Sequence, residues 1–286
     1  MRIKLAAAIL LLPALLSAQE RVTVRGKIVN EQGAPVEYVQ VGVPEHRIGT
    51  VSTADGRFEI AMPPDTLQFF HVSYQAAGYP VTGPVDNLVI VLHGQELPPA
   101  VFIGGDAKEK YLLRPGKNLL GKMGTICLSL EDGDFTGKEV GSVAQTKKPF
   151  LVQDISLSIQ RNRIPGCVAS VNIYRIEGEE ESFVNVLHKP IYFDVAVSDT
   201  PREYDLRPEE TLLLEPGRYF VSFQIVGCDG NAMRAFLSKP AEERLQEMYM
   251  AFFIHLKSSY LREAALGEMK HYPVNIGIAV KGLEYQ

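Results

Sequence analysis

The chain has 286 residues, of which 46% are hydrophobic, 9% aromatic and 22% charged, and its formal net charge at pH 7 is −5. This composition is typical of folded globular proteins, and the length suits two domains. The acidic balance disfavours nucleic acid and anionic membranes as partners, because both attract basic surfaces.

The N-terminus has the pattern of a secretory signal peptide, residues 1–18. Arg2 and Lys4 precede an apolar run, Leu5–Leu16, that is too short to span a bilayer, and Ala18 offers a small residue for cleavage. Removing two of the 29 cations leaves 27 against 34 acidic side chains, a mature net charge of 27 − 34, or −7. No cysteine stands at the cleavage point to carry a lipid. We therefore expect a periplasmic or secreted protein whose mature chain has no transmembrane segment.

The stretch from Arg21 to Ile60 predicts strands and tight turns. Val22, Val24 and Ile28 alternate with polar residues, which is the period of a strand with one buried face. Further along, the pair Asp55-Gly56 lies between two strand-like runs and predicts a β-hairpin, because a tight turn favours residues that accept positive φ.

This stretch resembles the carboxypeptidase regulatory-like domain, a small transthyretin-like β-sandwich. The matching positions are Val24, Gly26, Val29, Gly33, Pro35, Val36, Val39, Val41, Gly49, Thr50, Thr53, Asp55, Gly56, Phe58 and Ile60, followed by Phe70, Val72, Tyr74 and the closing strand Leu88–Leu92. The resemblance implies an N-terminal domain over residues 21–93. It implies no peptidase, since glycines and alternating valines mark a fold and not an activity.

Residues 94–117 are predicted to be a linker with the domain boundary near Gly105, because prolines and glycines are frequent there. Within it, Pro99–Ile103 is a candidate final edge strand of the first domain. Lys108–Arg114 is a candidate linker segment that packs on either neighbour.

Residues 118–286 predict a second antiparallel sandwich of jelly-roll type. Apolar residues alternate with polar ones in several runs, such as Ile155–Ile159, Ala169–Ile173 and Tyr219–Ile225. This half looks like the C-terminal sandwich of uncharacterised two-domain secreted proteins of outer-membrane-bearing bacteria. The runs that carry this likeness are Val171–Ile176, Tyr204–Leu206 and Gly217–Val226, and they supply no activity.

One segment fits two structures. Ser238 is a candidate N-cap for a short helix at Pro240–Met248, where a proline in the first turn is tolerated. The run Met250–Leu256 keeps helical spacing but also suits a core strand. We predict the helix followed by the strand, because a jelly roll needs the strand.

The sequence predicts no catalytic residue, no cofactor and no metal site. The six histidines are scattered without a zinc spacing, and Glu131, Asp132 and Asp134 lack the further ligands of a calcium loop. There is no G-x-S-x-G elbow and no glycine-rich phosphate loop. Acidic runs such as Glu177–Glu181 are expected to be polar loops.

Three cysteines, Cys127, Cys167 and Cys228, leave at least one unpaired in an oxidising compartment. Cys167 begins one strand-like run and Cys228 ends another, so a disulfide between them is possible. Three small buried thiols without a chemical role are the favoured interpretation.

The leading functional hypothesis is a non-catalytic binding or scaffolding protein of the cell envelope, with an envelope protein or a glycan as its partner. A carbohydrate-binding accessory protein is the alternative, for which Tyr111, Tyr79 and Tyr260 are the candidate surface rings, since the chain has no Trp. A hydrolase with its site on loops of the second sandwich is a weaker alternative. The oligomeric state is not predicted by the sequence.

Overall fold

The computed structural model describes residues 21–96, 104–114, 125–129, 135–244 and 247–286. The predicted signal peptide, the candidate strand Pro99–Ile103 and the acidic run Glu131–Asp134 lie outside these residues. The described chain is built from strands, and the all-β prediction is confirmed. Its two largest hydrophobic cores distinguish an N-lobe (residues 21–96) from a C-lobe (the described residues from 104 onward), and Val72 of the N-lobe joins the C-lobe core.

The N-lobe is two small sheets packed face to face. Its strands are β1 (Val22–Asn30), β2 (Gln40–Val43), β3 (Ile48–Val51), β4 (Arg57–Met62), β5 (Asp65–Phe70), β6 (Ala77–Val81) and β7 (Val85–Leu92), with a 3-10 turn at Pro44–His46. One sheet has the order β4-β1-β7 and the other β3-β2-β5-β6. All pairs are antiparallel except β1 with β7, which is parallel. The alternating apolar residues, such as Val24 and Ile28, fill the core between the sheets.

The turn at Asp55-Gly56 forms as predicted, but the hairpin does not. Gly56 has φ +77°, and the Thr53 amide donates to the Arg57 carbonyl at 2.8 Å. The strands on either side then separate, since β3 pairs with β2 and β4 pairs with β1. The turn is therefore a corner between two sheets, because the partners that complete each sheet come from elsewhere in the chain.

The C-lobe is a larger pair of sheets. Its strands are β8 (Ala107–Leu113), β9 (Thr125–Ser129), β10 (Glu139–Thr146), β11 (Phe150–Asn162), β12 (Cys167–Glu177), β13 (Ser182–Asn185), β14 (Ile191–Val195), β15 (Arg202–Leu206), β16 (Leu212–Leu214), β17 (Gly217–Gly227), β18 (Tyr249–His255), β19 (Ser259–Arg262), β20 (Lys270–Tyr272), β21 (Asn275–Ile276) and β22 (Ile278–Tyr285). The first sheet has the order β13-β12-β17-β10-β19-β20, with β14 beside β12. The second has the order β21-β18-β11-β22-β8, with β15 and β16 beside β11 and β9 beside β18.

Part of the predicted linker is a strand of the C-lobe. Residues 107–113 form β8, which pairs with β22 at the edge of the second sheet. The acidic and basic side chains of β8 are exposed, while Leu113 is buried in the C-lobe core.

The helix predicted at Pro240–Met248 is present only as one turn, and a longer helix that was not predicted precedes it. An eight-residue helix, α1 (Gly230–Leu237), begins after Asp229, whose carboxylate accepts from the Asn231 and Ala232 amides. Ser238 ends this helix as its C-cap, so the prediction that it caps a following helix is wrong. A single turn, α2 (Ala241–Arg244), follows. The strand predicted after it is present as β18.

The N-lobe packs on the outer face of the first C-lobe sheet. On β17, Val221, Phe223 and Ile225 face the C-lobe core, yet the outward residues Ser222 and Gln224 are also buried. Tyr38 of the N-lobe contacts Tyr192 edge to face at 4.9 Å, and Ser73 donates to the His188 carbonyl at 2.8 Å. The outer face of the second sheet lies on the far side of the C-lobe from the N-lobe.

Candidate functional site

The three tyrosines predicted as surface rings have three different environments. Tyr260 is only 3% exposed, because Phe183 and Phe220 pack on its ring with centroids at 4.8 and 5.7 Å. The prediction for Tyr260 is therefore wrong. Tyr79 is half-buried beside the N-lobe core. Tyr111 on β8 is 37% exposed and offers its ring to solvent.

Tyr111 lies in a groove of about 600 Å³ on the outer face of the second C-lobe sheet. Strand pairing brings its walls together from distant parts of the sequence. Tyr111 is opposite Lys281, and Lys281 is opposite Asp154, so these side chains form one row across β8, β22 and β11. Arg207, which follows the end of β15, closes the row through an ion pair with Asp154.

A second row of smaller side chains forms the floor. Ser156 is opposite Ala279 on one side and Asp205 on the other, across β22, β11 and β15. These residues are two positions from the first row along their strands, so both rows lie on the same face of the sheet. The short side chains of Ser156 and Ala279 leave the space that the groove occupies.

Two β-bulges meet at the level of the groove. The pairing of β11 with β22 shifts between Val152 and Asp154, and the pairing of β22 with β8 shifts between Val280 and Lys281. A bulge bends its strand and re-aims a side chain. On β8 it lets Leu112 and Leu113 pack consecutively against the core while Tyr111 points outward.

Three of the four charged side chains that line the groove are in ion pairs. The Arg207 Nε lies 2.7 Å from the Asp154 Oδ1, and the Lys281 Nζ lies 2.6 Å from Glu109 on β8. The hydrogen bond to Glu109 raises the pKa of Lys281, with smaller contributions from Tyr111 and Asp154. The groove thus presents two carboxylates and two permanent cations beside one aromatic ring, a set suited to binding polar ligands by hydrogen bonds.

A different cluster of titratable groups is buried under the N-lobe. Glu139 on β10 is fully buried and pairs with the Arg262 Nη1 at 3.2 Å. It also accepts hydrogen bonds from Ser222, from the Asn172 amide at 3.0 Å and from the Tyr174 hydroxyl at 3.3 Å. Burial is the main cause that raises the pKa of Tyr174, so its hydroxyl stays protonated and can donate.

Arg262 connects this cluster to the N-lobe. Its guanidinium stacks over the Tyr174 ring at 5.4 Å from the centroid and donates to Gln40 of β2 at 3.4 Å. Burial lowers the pKa of Arg262, but the charge interactions with Tyr174 and Glu139 outweigh burial and the net effect is a raised pKa. Arg262 therefore stays protonated beside the Glu139 carboxylate.

The space beside this cluster is too small for a substrate. A cavity of about 20 Å³ lies between the lobes, next to Gln40, Asn172 and Gln224. A volume of this order holds about one water molecule. Convergent acids and bases are therefore present, but without a substrate-sized space beside them, and we interpret the cluster as structural.

His71 occupies the same interface in its neutral form. Its Nδ1 accepts from the Ser73 amide at 3.1 Å, which leaves the proton on Nε2, 3.2 Å from the Tyr192 hydroxyl. Burial lowers the pKa of His71 from 6.5 to about 4. The unfolded chain therefore binds a proton between these two pH values that the folded chain does not bind.

We expect this difference to make the protein less stable as pH falls from about 6.5 to about 4, with no further loss from His71 below that. The change in the pKa of His71 from 6.5 to about 4 corresponds to about 3 kcal/mol of stability. Urea unfolding of the wild type and of His71→Gln at several pH values measures it. The variant should have a smaller loss on acidification, and equal slopes for the two proteins would contradict the assignment.

Cys167 and Cys228 are not joined by a disulfide. Cys167 is buried and Cys228 half-buried, at the neighbouring ends of β12 and β17, where Val168 pairs with Gly227. Burial, and then the nearby Cys228, raise the pKa of Cys167, which disfavours its reactive thiolate. The side chain of Cys127 lies outside the described residues.

Within the described ranges, no group of three or more His, Cys, Asp or Glu side chains is placed to hold a metal ion. Over the same residues, no helix has both the length and the apolar character needed to cross a membrane.

The acidic run at Glu177–Glu181 joins β12 to β13, and its last residue accepts from Tyr260 at 2.7 Å and Arg218 at 2.9 Å.

Sequence reasoning identified Tyr111 but not the residues that join it in the groove. Asp154 and Ser156 were recognised as the polar positions of a strand, which every half-buried strand has. The small residues at two facing outward positions, Ser156 and Ala279, are a signal for a groove only once the strand pairing is known.

No family model and no curated protein matches the chain. Among solved structures, it is similar to a DUF3823 family protein from Parabacteroides merdae, with 9% sequence identity, a TM-score of 0.21 and coverage of 90% of this chain and 98% of that chain. It is also similar to a chain of the T13 IBDV viral particle, with 11% identity, a TM-score of 0.27 and coverage of 93% and 62%. Similarities of this size carry no information about function.

Proposed function

We propose that this chain is a non-catalytic binding or scaffolding protein of a bacterial cell envelope, exported by residues 1–18, with the groove as its binding surface. The observation that carries the proposal is the groove itself. It is a preformed hollow of about 600 Å³ on a paired sheet, lined by the ring of Tyr111 and by charged side chains, three of which are in ion pairs. Sites on regular strands are more rigid than sites on loops, which favours recognition.

The lining of the groove lacks the base that a serine nucleophile would need. Its lining includes a serine, Ser156, and two carboxylates, but no histidine or cysteine, so the lining itself offers no imidazole base to activate the hydroxyl. The buried Glu139 cluster has the acids and bases but no substrate-sized space. The resemblance of residues 21–93 to the carboxypeptidase regulatory-like domain agrees with an accessory role.

The proposal predicts that envelope material binds through the groove. The mature chain, residues 19–286, would be immobilised and exposed to a solubilised envelope fraction of the source organism, beside the double variant Tyr111→Ala and Asp154→Ala. The wild type should retain components that the double variant releases. Val89→Ala is the matched control, because Val89 is 60% exposed on the N-lobe and far from the groove in the fold.

Equal retention by wild type and double variant would show that the groove is not the binding surface. Cell fractionation and mass spectrometry of the N-terminus test the location separately. We expect an extracytoplasmic protein that begins at Gln19, and a cytosolic protein with an intact leader would contradict the export part of the proposal.

A further inference from the structure

We infer that the groove binds a neutral saccharide, with one sugar ring against Tyr111 and vicinal hydroxyls on the Asp154–Arg207 pair. This inference rests on the proposed function and names the ligand class of the same site. Three properties of the groove lead to it: its charge balance, its paired donor and acceptor, and its aromatic wall.

The charge balance disfavours ionic ligands. Asp154 and Asp205 contribute two negative charges, and Arg207 and Lys281 contribute two positive charges, so the lining sums to zero. Each of the cations also has a carboxylate within 2.7 Å. An anionic ligand would have to displace Asp154 or Glu109 from its cation. A cationic ligand could approach Asp205 but would be repelled by Arg207 and Lys281 in the same lining. A neutral ligand meets neither cost.

The Asp154–Arg207 pair matches the hydrogen-bonding of a diol. A carboxylate only accepts hydrogen bonds and a guanidinium only donates them, whereas each sugar hydroxyl does both. The Arg207 Nε uses one donor on Asp154 and leaves the other guanidinium N–H groups available toward solvent, since its side chain is 81% exposed. Ser156 and Asp205 add a hydroxyl and a second acceptor at the floor. Adjacent hydroxyls can therefore bond to both members of one fixed pair.

The ring of Tyr111 supplies the apolar contact. One face of a pyranose ring exposes C–H groups, which pack on an aromatic face. Tyr111 and Asp154 are two strands apart, which is about 10 Å at the usual spacing of strands. Lys281 lies between them but is drawn to Glu109 on the β8 side. The open distance suits one or two sugar units in a groove that continues past them, so the expected ligand is part of an oligosaccharide.

Calorimetric titration of the mature protein tests the inference with neutral hexasaccharides, one each built from glucose, mannose, xylose and galactose, beside polygalacturonate and hyaluronan as anionic probes. At least one neutral probe should bind with an affinity that changes little between low and high salt. Tyr111→Ala should weaken that binding about tenfold or more, the effect of losing about 1.4 kcal/mol of stacking. Tyr111→Phe, which keeps the ring, should lose less than about threefold.

Substitutions of Arg207 test the contact with the Asp154–Arg207 pair independently of Tyr111. Arg207→Lys keeps the charge but lacks the planar fork, so a diol contact predicts a loss close to that of Arg207→Ala. Val89→Ala should bind like the wild type. Because Tyr111 and Arg207 are exposed, all variants should melt at the wild-type temperature, and this is checked for each.

The outcomes separate this inference from the proposed function. Salt-sensitive binding of an anionic probe, weakened more by Lys281→Ala than by Tyr111→Ala, would overturn the neutral-saccharide inference and leave the groove as a binding surface. The neutral-saccharide inference is also overturned, and the groove remains a binding surface, if no probe binds while capture of envelope components still depends on the groove. Loss of both saccharide binding and groove-dependent capture would overturn both.

Discussion

Replacing Glu139 by alanine is expected to lower the free energy of unfolding by about 4 kcal/mol. The change leaves the Arg262 guanidinium buried without its carboxylate, and it removes the acceptor for Ser222, Asn172 and Tyr174. Unpaired buried charge and unsatisfied donors each cost more than the removed contacts contribute. Urea denaturation of the mature protein measures the loss.

Two comparisons make this result specific. The double variant Glu139→Leu with Arg262→Met removes both charges and should recover much of the loss, since apolar replacements of a buried pair are often neutral. Glu59→Ala breaks an ion pair that is half exposed on the N-lobe and should cost far less. If Glu139→Ala proves as mild as Glu59→Ala, the buried network does not contribute to stability as its geometry indicates.

Replacing Gly49 by alanine is expected to destabilise the contact between the lobes, by about 3 kcal/mol. A Cβ on Gly49 would lie 1.8 Å from the Ala265 carbonyl oxygen. The Ala265 backbone has no room to retreat, because Gly137 packs on its other side, where a Cβ would lie 2.3 Å from the Ala265 nitrogen. The lobes or β3 must therefore move, since a backbone oxygen cannot rotate away as a side chain can.

The melting temperature of Gly49→Ala, compared with that of Gly83→Ala, tests this contact. Gly83 belongs to the same lobe, and a Cβ there would meet no atom within 4 Å. Adding Ala265→Gly to Gly49→Ala should not restore stability, because the clash is with the backbone. Wild-type stability of Gly49→Ala would mean that the lobes do not meet at this point.

Gly49 has one role in the local sequence pattern and another in the contact between the lobes. Gly49 is one of the positions at which residues 21–93 resemble a small β-sandwich domain. In the folded chain it is also the point where the N-lobe backbone approaches a C-lobe loop. No local pattern signals that contact, because its two sides are more than two hundred positions apart in the sequence.

The alternation of polar and apolar side chains predicted the strands, but it did not predict which strand faces are buried. On β17 the apolar positions face the core as expected, but the intervening Ser222 and Gln224 are buried as well, Ser222 against Glu139 and Gln224 beside Gln40 of the N-lobe. Tyr260 was predicted as a candidate surface ring and is buried by rings from β13 and β17. A period of two identifies two faces of a strand and does not say whether the second face meets water.

Composition, two-residue periodicity and the need for positive φ act over a few neighbouring residues, so they were enough to predict an acidic, strand-built chain with a turn at Asp55-Gly56. They could not predict which strands pair. That pairing places Tyr111, Asp154, Arg207 and Lys281 in one groove and buries Glu139 and Arg262 at the contact between the lobes. The reason is that pairing and burial depend on contacts between residues far apart in the chain, and a shift of one residue at either bulge would turn these side chains to the opposite face of the sheet.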